Sequence, residues 1–377
     1  MTKNKWLLLI ITFSLLMALT HFGNGNYVRG DPKLDFDSPF YVKLLLWLKG
    51  EYPEPPGQPF RMRVLSPLLA SYLSPLIGVN NAFGALNTAF WILTCLVYFL
   101  ALSKYLGSNE LAGVSCILFS GSIPVLVYGA AISTDMIGWL ALAVAIYYVQ
   151  KPMRFQNIIL MGICMYVFMF GREVSLLAIA YIFIYRLIRG EKISKIFLES
   201  IILGAFSILA ILTLYMLIPA PGYMAYFYPS FLNAGNLEKI SKAVKQLAAT
   251  YHIGWIPLIA YSLNKTRKDA LFNASVIVGG AFVFIDHFVG TVSSRFIFLT
   301  YPGLLPAILV GIKELFGNLA SKKSQKALFY SFVSAYILIG FISTLENNLA
   351  FPIVSDEAIA KLFPEGYNEL FNDRSEI

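Results

Sequence analysis

The chain has 377 residues, 58% of them hydrophobic and only 13% charged, with a formal net charge of +8 and a mean hydropathy of +0.68. Apolar runs of spanning length recur from end to end, which excludes a soluble domain with one large core, where such runs are shorter and charge is more plentiful. The strand alternation of an outer-membrane barrel is missing, so helices are the remaining way to satisfy backbone polar groups in lipid, and the chain reads as an all-α polytopic transmembrane bundle.

In chain order, Lys3 and Lys5 precede an apolar run from Trp6 to about Thr20. This could be a cleaved signal, but Ala18-Leu19-Thr20-His21-Phe22 is a poor small-residue cleavage site. The run is therefore expected to be the first transmembrane helix, with its N-terminus in the cytoplasm. The loop that follows, residues 22–80, concentrates charge. Asp31, Asp35 and Asp37 come first, and Arg61 and Arg63 close it in Pro-Phe-Arg-Met-Arg-Val-Leu-Ser-Pro-Leu-Leu. Carboxylates spaced as Asp35-Phe36-Asp37 can share a hard cation such as Mg or Mn, or divide the work of base and ligand. Arg61 and Arg63 present guanidinium forks suited to phosphate oxygens. The blander readings are a solvated acidic loop and arginines snorkelling at the interface. Between the two groups, Ser38 to Lys49 is expected to be a helix with Phe40, Tyr41, Leu44, Leu45 and Leu48 on one side, lying in the membrane interface. Val64–Ile77, broken by Pro67 and Pro75, reads as a second interfacial helix.

Further spans are expected near 82–103, 111–130, 136–150, 156–171, 173–188, 197–218, 250–264, 270–289, 296–313 and 327–346, making about eleven in a transmembrane domain over 1–346. Threaded this way, the cytoplasmic connections collect most of the lysines and arginines, as the positive-inside bias requires. The basic balance thus reflects membrane topology and gives no reason to invoke nucleic acid. Cys95, Cys116 and Cys164 all lie inside apolar runs, against a disulfide framework or a thiolate metal site.

The polar residues at helix ends all fall on the extracytoplasmic side, whereas the cytoplasmic connections read as merely basic. Asp135, in Ser133-Thr134-Asp135, is costly at that depth unless it faces water or a partner. Gly171-Arg172-Glu173 is a very short turn, read either as a helix-end ion pair or as an arginine offered to phosphate with Glu173 holding it. Pro219 to Phe231 is an aromatic-rich loop, and 237–251 has the pattern of an interfacial helix with a basic face. Asp286-His287 ends one span and Arg295 begins the next. Residues 347–377 form an acidic tail, expected on the extracytoplasmic side.

An acidic motif in the first outer loop, an interfacial helix and an Arg-x-Arg-Val-Leu-x-Pro-Leu-Leu element together resemble the GT-C superfamily of integral-membrane glycosyltransferases. Ser294-Arg295-Phe-Ile-Phe-Leu-Thr-Tyr-Pro is similar in outline to the last outer loop of such proteins. The resemblance implies transfer of a sugar from a polyprenyl-phosphate carrier, on the outer face of the membrane, to an acceptor that the sequence does not name. It implies Asp35 or Asp37 as base or divalent-metal ligand, with Asp31 beside them. Arg172 and Arg295, with Arg61 or Arg63, would meet the lipid phosphate, while Asp135, Glu173 and His287 complete the substrate site. The chain departs from the pattern in its tail, where no soluble domain follows the last helix. The competing expectations are a carrier or flippase, for which Pro124, Pro302 and Pro306 could break helices, and a non-catalytic relative.

Overall fold

The computed structural model describes residues 1–23, 38–57, 60–129, 133–218, 247–263, 269–281, 294–317 and 321–345, and among these it is helical with no strand. The helices are α1 (Lys3–Gly23), α2 (Ser38–Leu48), α3 (Leu65–Ile77), α4 (Val79–Leu106), α5 (Asn109–Ser120), α6 (Ile123–Tyr128), α7 (Asp135–Val149), α8 (Phe155–Met169), α9 (Leu177–Ile188) and α10 (Ile193–Leu217). After them come α11 (Trp255–Ser262), α12 (Ala270–Ala274), which runs on as a π turn over Ser275–Gly279, α13 (Tyr301–Gly317) and α14 (Lys322–Leu345). Among the described residues, five segments are long and apolar enough to cross a membrane: Lys3–Thr20, Val79–Leu106, Ile193–Leu217, Ile297–Gly317 and Lys322–Ile342. α3, α5, α7, α8 and Ala270–Gly279 are apolar but shorter.

Among the described residues each expected segment coincides at least in part with a helix, but only five are long enough to cross a membrane by length and composition, and there are informative shifts. The run 111–130 is split: α5 stops at Ser120, Gly121 and Ser122 turn the chain, and α6 restarts with Pro124 in its first turn, a position where proline's missing N–H costs nothing. The run 173–188 opens as a 3-10 turn over Glu173–Leu176 before α9 begins. α10 starts four residues earlier than the expected 197, which adds Ile193–Ile196 to the helix.

α7 lies at the centre, packed by α4, α8 and α9, and nearly every one of its residues is buried. A helix apolar on all sides suits either a protein interior or lipid, and here protein surrounds it. α1 and α10, in contrast, carry outward rows such as Leu8, Leu15, Leu16 and Leu19, or Leu198, Ile201, Ile208 and Leu212. Exposed apolar stripes of this extent fit a lipid surround. α4 ends at Gly107, whose φ of 62° is the left-handed cap that a glycine adopts without strain. Ser108 then caps α5 by accepting from the Leu111 amide, so a two-residue turn returns the chain antiparallel.

Close helix crossings use glycine. A Cβ on Gly311 of α13 would stand 2.1 Å from the Pro257 carbonyl oxygen of α11, and one on Gly340 of α14 would stand 2.5 Å from that of Gly121. Small residues at such crossings let backbones approach and gain dispersion contacts that larger residues forbid. Gly311→Ala is expected to destabilise the protein by about 1–3 kcal/mol. Gly204→Ala on α10, where nothing lies within 4 Å, should do no harm; equal thermal unfolding of the two variants in detergent would contradict this.

The expectation for Ser38–Lys49 needs correction. α2 does form, but Tyr41, Leu44 and Leu45 are wholly buried in protein, against Ala70, Phe83, Met62 and Leu214. Part of its apolar side is thus taken up by α3, α4 and α10, while Phe40 on the same side stays exposed.

Candidate functional site

At the end of the bundle where α7 and α9 begin, four of the residues singled out in the sequence meet. α7 starts at Asp135, the turn between α8 and α9 carries Arg172 and Glu173, and the stretch before α3 carries Arg63. That stretch is pinned by the Leu65 amide donating to the Phe170 carbonyl at 2.9 Å. The Arg172 Nη1 lies 2.7 Å from the Asp135 carboxylate, with both side chains essentially inaccessible at 1% and 0%. Arg63 clamps Glu173 through Nε, at 2.9 Å from Oε2, and through Nη2 to Oε1. Two hydroxyls join the pairs. Arg63 Nη1 donates to the Tyr41 hydroxyl at 2.9 Å, Tyr41 and Thr134 share a hydrogen bond of 3.1 Å, and Arg172 Nη1 reaches Thr134 at 3.5 Å. The result is a continuous path, Glu173–Arg63–Tyr41–Thr134–Arg172–Asp135, drawn from α2, the approach to α3, α7 and the α8–α9 turn.

This arrangement corrects the expected partnership of Arg172 and Glu173. Arg172 has extended backbone, φ −163° and ψ 131°, and in extended chain successive side chains leave on opposite sides. Arg172 therefore points into the bundle toward α7, where Gly138 offers only hydrogen beside its Cδ, and Glu173 turns outward to Arg63. Asp135, expected at the outer surface, is fully buried. Arg61 stands apart from the path, donating from Nε to the Pro56 carbonyl at 3.1 Å.

Burial pushes the Glu173 carboxyl up, but the Arg63 guanidinium, helped by Arg172, outweighs it and holds the group at about 2, below its usual 4.5. A depressed carboxylate contributes stability that is complete above the unfolded value and lost as pH falls through the folded one. The clamp should thus weaken between pH 4.5 and about 2. With Glu173 28% exposed to screening solvent, at most about 3 kcal/mol is at stake. Glu173→Gln should flatten that acid limb of the unfolding profile; an unchanged limb would show that other groups govern it.

Asp31, Asp35, Asp37, Asp286 and His287, the side chain of Arg295, the aromatic loop, the 237–246 part of the following amphipathic segment and the acidic tail lie outside the described residues. Among the described residues no group of three or more His, Cys, Asp or Glu side chains is placed to hold a metal ion. The carboxylates expected to bind a divalent cation, Asp35 and Asp37, are not among them. The three cysteines are free.

Sequence reasoning passed over Tyr41 and Thr134 as members of the path, though each has a visible signal: Tyr41 follows the acidic motif by one helical turn, and Thr134 adjoins Asp135. It also read the opposite ends of these helices as merely basic. There Arg186 and Glu199 form a buried ion pair at 3.2 Å, and the Tyr148 hydroxyl donates to the same carboxylate. Comparison with known protein families and with curated proteins finds no match to this chain.

Proposed function

We propose that the chain is an integral-membrane glycosyltransferase that moves a sugar from a polyprenyl-phosphate donor to an acceptor at the extracytoplasmic face. The observation that supports this reading is the convergence of two arginines and two carboxylates, from separate helix ends, into one buried path beside the start of α2. Arginine forks suit phosphate oxygens, and oriented cations in a dry site stabilise charge as it develops on a departing phosphate. In this scheme Arg172 and Arg63, with Arg295, take the negative charge of the leaving lipid phosphate. Asp135 and Glu173 keep the two guanidinium groups oriented and compensated until the donor arrives. Asp35 or Asp37 removes the proton from the acceptor hydroxyl as the glycosidic bond to the donor phosphate breaks and the new one forms, or holds a divalent cation, with Asp31 as the third acid of the motif.

A carrier for a lipid-linked substrate is the second reading, and the break between α5 and α6 favours it, since transporters build their sites at interrupted helices. One experiment separates the two. The full chain, reconstituted in vesicles, is given a panel of labelled polyprenyl-phosphate sugars with mixed glycan and lipid acceptors. Release of polyprenyl phosphate together with a new glycoside is the expected result. Movement of intact donor between leaflets, with no bond broken, would replace the enzyme with the carrier.

A further inference from the structure

The far ends of the same helices frame an open cavity that the transfer reaction does not use. α7 has 15 residues, so its two ends stand about 20 Å apart, with Asp135 at one and Gln150 just past the other. Around Gln150 lies a cavity of about 550 Å³, lined by Lys104 and Tyr105 of α4, Gln150 and Lys151 after α7, and Tyr185, Arg186, Arg189 and Glu191 at the end of α9 and beyond. That volume is typical of a small-molecule or headgroup site.

Its charges divide into a fixed part and an available part. Arg186 is the fixed floor. Its Nε and Nη2 reach Glu199 at 3.2 and 3.3 Å, and its Nη1 donates to Glu191 at 2.8 Å. The nearby Asp269 is engaged by the hydroxyls of Tyr105, at 2.6 Å, and Tyr261, and by the Phe272 amide at 2.9 Å. The three acids are thus committed to partners of their own. Lys104 is held only by the Gln150 carbonyl at 3.0 Å, Lys151 only rests over the Tyr147 ring at 4.5 Å, and Arg189 is exposed. None of these three makes an ion pair among the described residues. Gln150 forms part of the wall. Its amide nitrogen donates to the carbonyls of Ala101 and Ile146, which fixes the orientation of the amide, and its Oε1 is buried with no hydrogen-bond partner among the described residues.

We infer that this cavity binds an anionic phosphate-bearing ligand, of the size of a phospholipid headgroup or a small soluble phosphate ester. Lys104, Lys151 and Arg189 close on the phosphate, and Arg186 keeps the floor rigid. A solvated basic rim, the ordinary outcome for loops on the positive side of a membrane, would need neither a concave wall nor a buried arginine beneath it. The inference does not depend on the transferase reading, because no residue is shared between the two sites.

The test uses the full chain in a neutral detergent, titrated with phosphatidylglycerol, with glycerol 1-phosphate and with phosphatidylcholine, and followed by native mass spectrometry and thermal shift. One saturable site is expected for at least one of the first two probes. Lys151→Ala with Arg189→Ala should weaken it about tenfold or more, as loss of charge-assisted contacts predicts. Arg154→Ala, which removes an exposed charge outside the cavity, should leave binding intact. Binding of the lipid alone assigns a headgroup, and binding of glycerol 1-phosphate as well assigns a soluble ester. If the double variant fails to fold, Arg189→Gln alone serves, since that side chain is exposed and makes no ion pair among the described residues. Absence of saturation by both anionic probes, equal binding of phosphatidylcholine, or equal weakening by Arg154→Ala would each overturn the inference.

Discussion

Arg172→Met is expected to destabilise the protein by roughly 3–5 kcal/mol, and Asp135→Leu by a similar amount, because each leaves the other's charge buried without its 2.7 Å counterpart. The double replacement should recover most of that loss, since removing both charges removes both desolvation penalties and puts apolar volume against α7. Thermal unfolding of the four proteins in detergent gives the coupling directly. A double variant no more stable than the singles would mean that the two residues do not compensate one another. Activity separates structure from chemistry in the same set. If Arg172 meets a substrate phosphate, the double variant is folded and inactive; if the pair is only an internal brace, it is folded and active.

Asp35→Asn and Asp37→Asn are expected to act in the opposite way, with turnover reduced and stability unchanged. The residue serving as general base should lose roughly a hundredfold to ten-thousandfold in turnover, and its neighbour less. Because the isosteric amide keeps size and shape but cannot take a proton, expression and unfolding temperature should match the parent. Wild-type turnover in the Asp35→Asn, Asp37→Asn double variant would remove the proposed mechanism. Loss restored by raising Mg or Mn concentration would assign the pair to the metal instead of the proton.

Much of the candidate site was legible as a set of positions. Arg63, Asp135, Arg172 and Glu173 stand out because each is a charge at the edge of an apolar run, where burial needs a partner. Which partner each takes was not legible. Adjacency suggested Arg172 with Glu173, yet Arg63 reaches Glu173 across 110 positions, and Arg172 finds Asp135 on a different helix. α2 shows the same limit. Its spacing announced one apolar side, but not whether lipid or the faces of α3, α4 and α10 would cover it. Arg186 was visible only as one base among several, because its partner Glu199 stands 13 positions away on another helix and read only as one acid among the cytoplasmic charges.

What the sequence by itself determined was the class and the rhythm of the chain: apolar runs long enough to cross lipid, with backbone hydrogen bonds that only helices can close locally. Glycine and proline marked where those helices turn, as at Gly107 and at Gly121 to Pro124. These features depend on neighbours within a few residues. The tertiary structure alone decided the burial of α7, the crossing of Arg63 to Glu173 and of Arg172 to Asp135, and the cavity at the far end. Each of these depends on how helices distant in sequence pack face to face. That packing is set by shape complementarity among many side chains at once, such as the clearance Gly311 leaves for Pro257, and no local pattern encodes it.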